Sequence, residues 1–126
     1  MKRIVNTDKA PGAIGPYSQC VAAGPFYFFS GQIPLDPKTG EMVGDDAASQ
    51  AERVLENVKA LLESEGMDFS NVIKTTVFIT DMANFGAVNQ VYSRYFTDQY
   101  PARSCVAVAA LPKGALVEIE VVAYKG

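Results

Sequence analysis

Three stretches of this chain are apolar on both faces of a strand, yet only two stretches carry the one-sided stripe of a helix. That imbalance constrains the fold more than any other feature. Phe26-Tyr27-Phe28-Phe29 is aromatic on both sides. In Val72 to Thr80, alternation puts Ile73, Thr75, Val77 and Ile79 on one face and Lys74, Thr76, Phe78 and Thr80 on the other. In Ala115 to Tyr124, Val117, Ile119, Val121 and Ala123 make a clean core face, opposite Leu116, Glu118, Glu120, Val122 and Tyr124. The first helix is predicted from a cap at Asp45 or Asp46 to about Glu65, with Gly66 as its stop; its stripe is Ala51, Val54, Leu55, Val58, Leu61 and Leu62. The second follows a cap at Asp81 or Asn84 and carries Phe85, Val88, Val91, Tyr92, Tyr95 and Phe96. Two helices cover one face of such a sheet and leave the other apolar and open. A closed homo-oligomer in which sheets meet is therefore expected, with sites near strand ends falling between subunits.

The remaining segments fit this plan. Residues 2–6 read as a short edge strand. Ser18 to Ala23 and Phe26 to Ser30 read as a hairpin across Gly24-Pro25. Between them and the first strand, Pro11 to Pro16 holds two prolines and two glycines, a loop with a prescribed path that ends at Tyr17. Leu35 to Gly44 is a second loop, and Leu111-Pro112-Lys113-Gly114 turns the chain into its last strand. No repeat or linker-like shift in composition divides residues 1–126, so one domain is expected.

The absence of histidine from all 126 residues removes the commonest general base, the Ser-His and Cys-His nucleophile pairs and the usual zinc ligand. Cys20 and Cys105 lie in separate apolar segments without a CxxC partner, which points to reduced, buried thiols. A net charge of −3 with no basic, aromatic-interleaved run argues against a nucleic-acid surface. The first residues are basic but lack the apolar region of a signal peptide, and no apolar run reaches the ~20 residues of a membrane span. A cytoplasmic protein without a membrane partner is expected.

Chemistry concentrates in a few places. Tyr100-Pro101-Ala102-Arg103-Ser104-Cys105-Val106 places a permanent cation at the mouth of what reads as a buried strand, with Cys105 on the same face. Such an arginine pairs with a structural carboxylate or grips an anionic ligand, and a guanidinium fork beside strand-end amides suits a small carboxylate. Ser30-Gly31 at a strand end is a turn or a point of close approach to a ligand. Tyr17 packs at a rim with its hydroxyl hydrogen-bonded. Asn89 sits among apolar helix positions and is either a surface amide or points into a site. Glu118 and Glu120 share one face with apolar neighbours, a setting for an acid/base group, and Arg103 is the one unusually placed cation offered as a neighbour.

Eight segments occur in order: Gly15-Pro16-Tyr17-Ser18-Gln19, Ser30-Gly31-Gln32-Ile33-Pro34, Asn57-Val58-Lys59-Ala60-Leu61, Val77-Phe78-Ile79-Thr80-Asp81, Val88-Asn89-Gln90-Val91-Tyr92, Pro101-Ala102-Arg103-Ser104-Cys105-Val106, Leu111-Pro112-Lys113-Gly114 and Glu118-Ile119-Glu120. Together they closely resemble the RidA/YjgF family of reactive-intermediate (enamine/imine) deaminases, along nearly the whole chain. The resemblance implies a chorismate-mutase-like α+β fold, a mixed sheet with two helices packed on one face, assembled as a homotrimer with inter-subunit sites. It implies hydrolysis of 2-aminoacrylate and 2-aminocrotonate to 2-keto acids and ammonia, protecting against metabolite damage, with no metal or cofactor. By matching positions, Arg103 would grip the substrate carboxylate, helped by the Cys105 backbone amide. Gly31 would supply backbone contacts, Glu118 would orient the attacking water, and Tyr17, Ser30 and Asn89 would line the pocket. Glu120 is left structural. Two other functions fit the same family: a trimer that binds 2-keto acids and regulates a partner, and a ribonuclease, which the acidic charge and missing histidine disfavour.

Overall fold

Asp46 begins the longest helix because its carboxylate accepts from Ser49 N–H at 2.8 Å, while the Ser49 hydroxyl reaches back to Asp46 in a reciprocal cap. The computed structural model describes residues 1–126, and this helix, α1, spans Ala47–Ser64. Gly66, at φ +70°, ends it as expected. Every residue of the predicted stripe, from Ala51 to Leu62, is at most 1% exposed. The second helix, α2, spans Phe85–Tyr95 and follows a single 3₁₀ turn, Met82–Asn84, which Asp81 caps; Asn84 makes no side-chain cap.

Six strands form one mixed sheet: β1 (Lys2–Val5), β2 (Cys20–Ala23), β3 (Phe26–Gln32), β4 (Val72–Ile79), β5 (Ala102–Ala107) and β6 (Val117–Tyr124). Their spatial order is β1-β2-β3-β6-β4-β5. Only the β4–β5 pair, joined through α2, is parallel. The β2–β3 hairpin closes on two residues, Gly24 at φ +60° followed by Pro25, so the proline is accommodated at the second turn position. Both helices lie on one face of the sheet, the α+β arrangement expected. No helix is long and apolar enough to cross a membrane.

Beneath the helices lies the core face of β6, with Val117, Ile119, Val121 and Ala123 at most 1% exposed, beside Thr75, Val77 and Ile79 of β4. The opposite face is uncovered and largely apolar: Ile4, Phe26, Phe28, Val106 and Tyr124 are all exposed there. This is the open face anticipated from the imbalance of strands and helices.

Two expectations need correction. Ile73 does not join Thr75 and Val77 on the core face. A bulge between Val72 and Lys74 shifts the register against β6, so Val72 takes the buried position and Ile73 turns outward, 44% exposed. Nor is β5 a buried strand. It pairs on one side only, at the sheet edge, and all its residues but Cys105 are exposed.

One buried amide ties α1 to the segment that follows β3. Asn57, fully buried, donates to Leu35 O at 2.9 Å and Ile33 O at 3.4 Å and accepts from Arg53. Asn57→Ala leaves those carbonyls without their donor, and a loss of about 1–3 kcal/mol is expected. Urea unfolding at fixed chain concentration checks it; an unchanged midpoint contradicts it.

Candidate functional site

A β-bulge builds the first half of the site. Between Phe29↔Val121 and Gln32↔Ile119 the register of β3 against β6 slips by one residue, so Ser30 and Gly31 together oppose Glu120. The Glu118 carboxyl fills the space a side chain at Gly31 would need: a Cβ built there lies 2.9 Å from Glu118 Cδ. Gly31 is thus required by close approach, not by a special φ. Ser30 is fixed from two directions, its hydroxyl donating to Ser18 O at 2.6 Å and its amide to Gln19 O at 2.9 Å.

Around these groups lies a cleft of about 470 Å³. Ser30, Gly31 and Glu118 line it, the 11–17 loop contributes Ile14 and Tyr17, and Ile33 and Leu35 add apolar wall. The Tyr17 hydroxyl accepts from Ile14 N–H at 3.4 Å, a brace within the loop. Glu118 is half-buried, and burial first, then the neighbouring Glu120 charge, raises its pKa above the ordinary carboxylate value. A carboxyl so placed can both take up and return a proton.

Arg103 lies elsewhere. Its row across the sheet is Arg103↔Thr75↔Val121, which faces the helices, whereas the row Val106↔Phe78↔Glu118 faces the open side. Within one chain the sheet therefore separates Arg103 from Glu118, and the two are not neighbours. Arg103 and Cys105 do share a face, as their spacing predicted. Cys105 packs partly buried against the core, and burial raises its thiol pKa. That burial disfavours the thiolate, the nucleophilic form of the side chain.

No carboxylate of the chain pairs with Arg103; the one salt bridge is Arg3–Glu65. Nη1 instead donates to Asn89 Oδ1 at 2.7 Å. The guanidinium lies over Tyr92, 4.7 Å from the ring centroid, and 5.5 Å from that of Phe85. Tyr92 is itself held, its hydroxyl bonded to the buried Thr75 hydroxyl at 2.9 Å. Arg103, Asn89 and Tyr92 line a second cleft of about 430 Å³ with Tyr100 and Pro101. A cation carried on aromatic faces and one neutral amide keeps donors free for an anion. The open question over Asn89 resolves: it turns toward the arginine. Helical periodicity marks Tyr92 and Phe85 only as core stripe. Their 92/89/85 spacing on α2, facing a strand that carries Arg103, was the available signal.

So Tyr17, Ser30, Gly31 and Glu118 come together in one cleft, Arg103 and Asn89 in another, and Cys105 lies beside Arg103 on β5. Replacing Gly31 by Ala pushes the Glu118 carboxyl outward, since the flexible end of that side chain is what must move. With burial as the cause of the upward shift, the variant's Glu118 is expected to titrate at lower pH than in wild type, with the fold kept. Carbon-13 NMR of the labelled carboxyl reads this, and an unchanged titration contradicts it.

The sequence model of the Endoribonuclease L-PSP family matches residues 7–125. The chain is 47% identical over 126 residues to human 2-iminobutanoate/2-iminopropanoate deaminase, covering 100% of this chain and 92% of that protein. The crystal structure of YyfA, a Rid-family protein from Yersinia pestis, superposes with a TM-score of 0.95 at 47% identity, covering 98% of this chain and 99% of that one. TdcF from E. coli, solved with bound serine, gives a TM-score of 0.93 at 48% identity, covering 98% and 99%. With the family model, the identities and the fold all in agreement, this chain belongs to the RidA/YjgF family.

Proposed function

We propose that the protein is a hydrolytic deaminase of short 2-imino and 2-enamine acids, working as a homotrimer in which Arg103 of one subunit completes the Glu118 cleft of its neighbour. The observation that carries this reading is the division of labour between the two clefts. One holds a carboxyl of raised pKa beside a glycine backbone and two hydroxyls; the other holds a guanidinium oriented by Asn89 and Tyr92 with donors to spare. The open apolar sheet face supplies a reason for subunits to meet. The human relative's name gives the reaction class, and the serine bound to TdcF is a small amino acid bearing a carboxylate.

The chemistry follows from these groups. Arg103 binds the substrate carboxylate in a fork of parallel N–H···O bonds, which fixes the adjacent C=N carbon of the iminium, the form an enamine reaches by taking a proton from solvent at its β-carbon. Glu118 accepts a proton from a water as its oxygen adds to that carbon, giving a carbinolamine. Returning the proton to nitrogen lets ammonia leave as the C–N bond breaks, while the hydroxyl proton passes to the Glu118 carboxylate and the keto C=O forms. One water is consumed, and one keto acid and one ammonia are produced. An iminium carbon is already electrophilic, so positioning and one carboxyl suffice without histidine.

In an assay that generates 2-aminocrotonate with a threonine dehydratase, wild type is expected to accelerate 2-ketobutyrate release. Arg103→Ala should lower kcat/KM by about two to three orders of magnitude, the loss of a charge-assisted fork. Glu118→Gln should lower kcat by about 10²–10⁴. Because base action needs the ionised carboxyl, and burial raises its pKa, the acid limb of kcat should fall at a pH above the ordinary carboxylate range. Glu118→Gln should abolish that limb. Wild type that leaves the rate unchanged while binding 2-ketobutyrate through Arg103 replaces this reading with a 2-keto-acid-binding trimer.

A further inference from the structure

The roof of the Glu118 cleft is a segment without helix or strand. Within residues 7–17, Pro11, Gly12, Ile14 and Tyr17 line the cleft, Ile14 at 75% and Tyr17 at 54% exposed. Every hydrogen bond between this segment and the rest of the chain ends on one side chain, Gln19. Its Oε1 accepts from Thr7 N–H at 2.8 Å. Its Nε2 donates to Pro11 O at 2.7 Å, Thr7 O at 3.0 Å and Ala10 O at 3.3 Å. The segment's other hydrogen bonds, Lys9 to Thr7, Ile14 to Tyr17 and Tyr17 to Gly15, stay within it.

Gln19 is 3% exposed, and its buried amide is satisfied at both ends, the oxygen accepting one hydrogen bond and the two donor hydrogens shared among three carbonyls. The same residue also fixes the floor. Its backbone carbonyl accepts from Ser30 N–H at 2.9 Å, and Ser18 O accepts the Ser30 hydroxyl. Roof and floor of the cleft are therefore registered to each other through residues 18 and 19. Only one small apolar anchor supplements the amide, Ala10, at 1% exposed.

We propose that Gln19 is a positioning residue: it sets the height and register of the 7–17 roof over Glu118 and so places Tyr17 against the substrate. Its role in turnover rests on the deaminase reading above; its hold on the roof does not. An apolar side chain of similar size at position 19 leaves four backbone groups of the roof without their partners and frees the loop locally.

The test is Gln19→Leu, with Gln19→Met as the second variant should the first not fold, read by amide hydrogen exchange and by kinetics in the dehydratase assay. Exchange in residues 7–17 is expected to speed about tenfold or more, while α1 and β6 exchange as in wild type. KM should rise about tenfold with a smaller change in kcat. Tyr17→Phe combined with Gln19→Leu should lose less than the product of the two single effects, because both act through the placement of Tyr17. Wild-type exchange in the loop overturns the proposal. So does exchange that rises equally throughout the molecule, and so does a loosened loop with wild-type KM and kcat. If wild type itself turns over no enamine, the deaminase reading fails separately; loop exchange and the affinity for 2-ketobutyrate then decide the role of Gln19.

Discussion

Strand β6 runs between β3 and β4, and its two-residue alternation decides where every other functional group can be. Val117, Ile119, Val121 and Ala123 must face the helices, because those four side chains and the stripe of α1 bury one another. That leaves Glu118 and Glu120 on the open side. Through the register of β4 the same alternation sends Arg103 and Cys105 to the helix side and Ser104 and Val106 to the other. A slip of one residue would exchange all of these at once. The separation of Arg103 from Glu118 is thus a consequence of core packing.

The two clefts differ in electrostatic character for the same reason. Glu118 stands beside Glu120, partly out of water, where its charged form is disfavoured. Arg103 stands at the sheet edge over aromatic faces that attract a cation without neutralising it. In the proposed trimer each is half of one site, and covering the open apolar face is the packing event that would bring both halves to one ligand. The β3 bulge adds the last requirement, a backbone with no side chain at Gly31, where the Glu118 carboxyl already sits.

Much of this was legible in the chain itself. The α1 stripe, its start at Asp45 or Asp46 and stop at Gly66, the core face of β6 and the shared face of Arg103 and Cys105 follow from periodicity and capping chemistry alone. Ile73 did not, because a bulge depends on the partner strand, which the local alternation of β4 does not contain. Nor did the exposure of β5: Cys, Val and Ala read as buried, but burial is decided by what lies beside a strand, and β5 has a neighbour on one side only. Tyr92 and Phe85 look like any aromatic helix stripe until an arginine on a distant strand is placed over them. The ordered motifs identified Glu118 and Arg103 as a pair, while only the sheet register places them on opposite faces of one chain.

Complementation between inactive subunits tests the central claim most directly. Arg103→Ala and Glu118→Gln chains are co-assembled at equal ratio and assayed for keto-acid release from the dehydratase-generated enamine. If one site draws Arg103 and Glu118 from different subunits, the mixture regains about a quarter of wild-type activity, the fraction of interfaces at which both intact residues meet under random assembly. A mixture no more active than either variant alone would contradict the shared site.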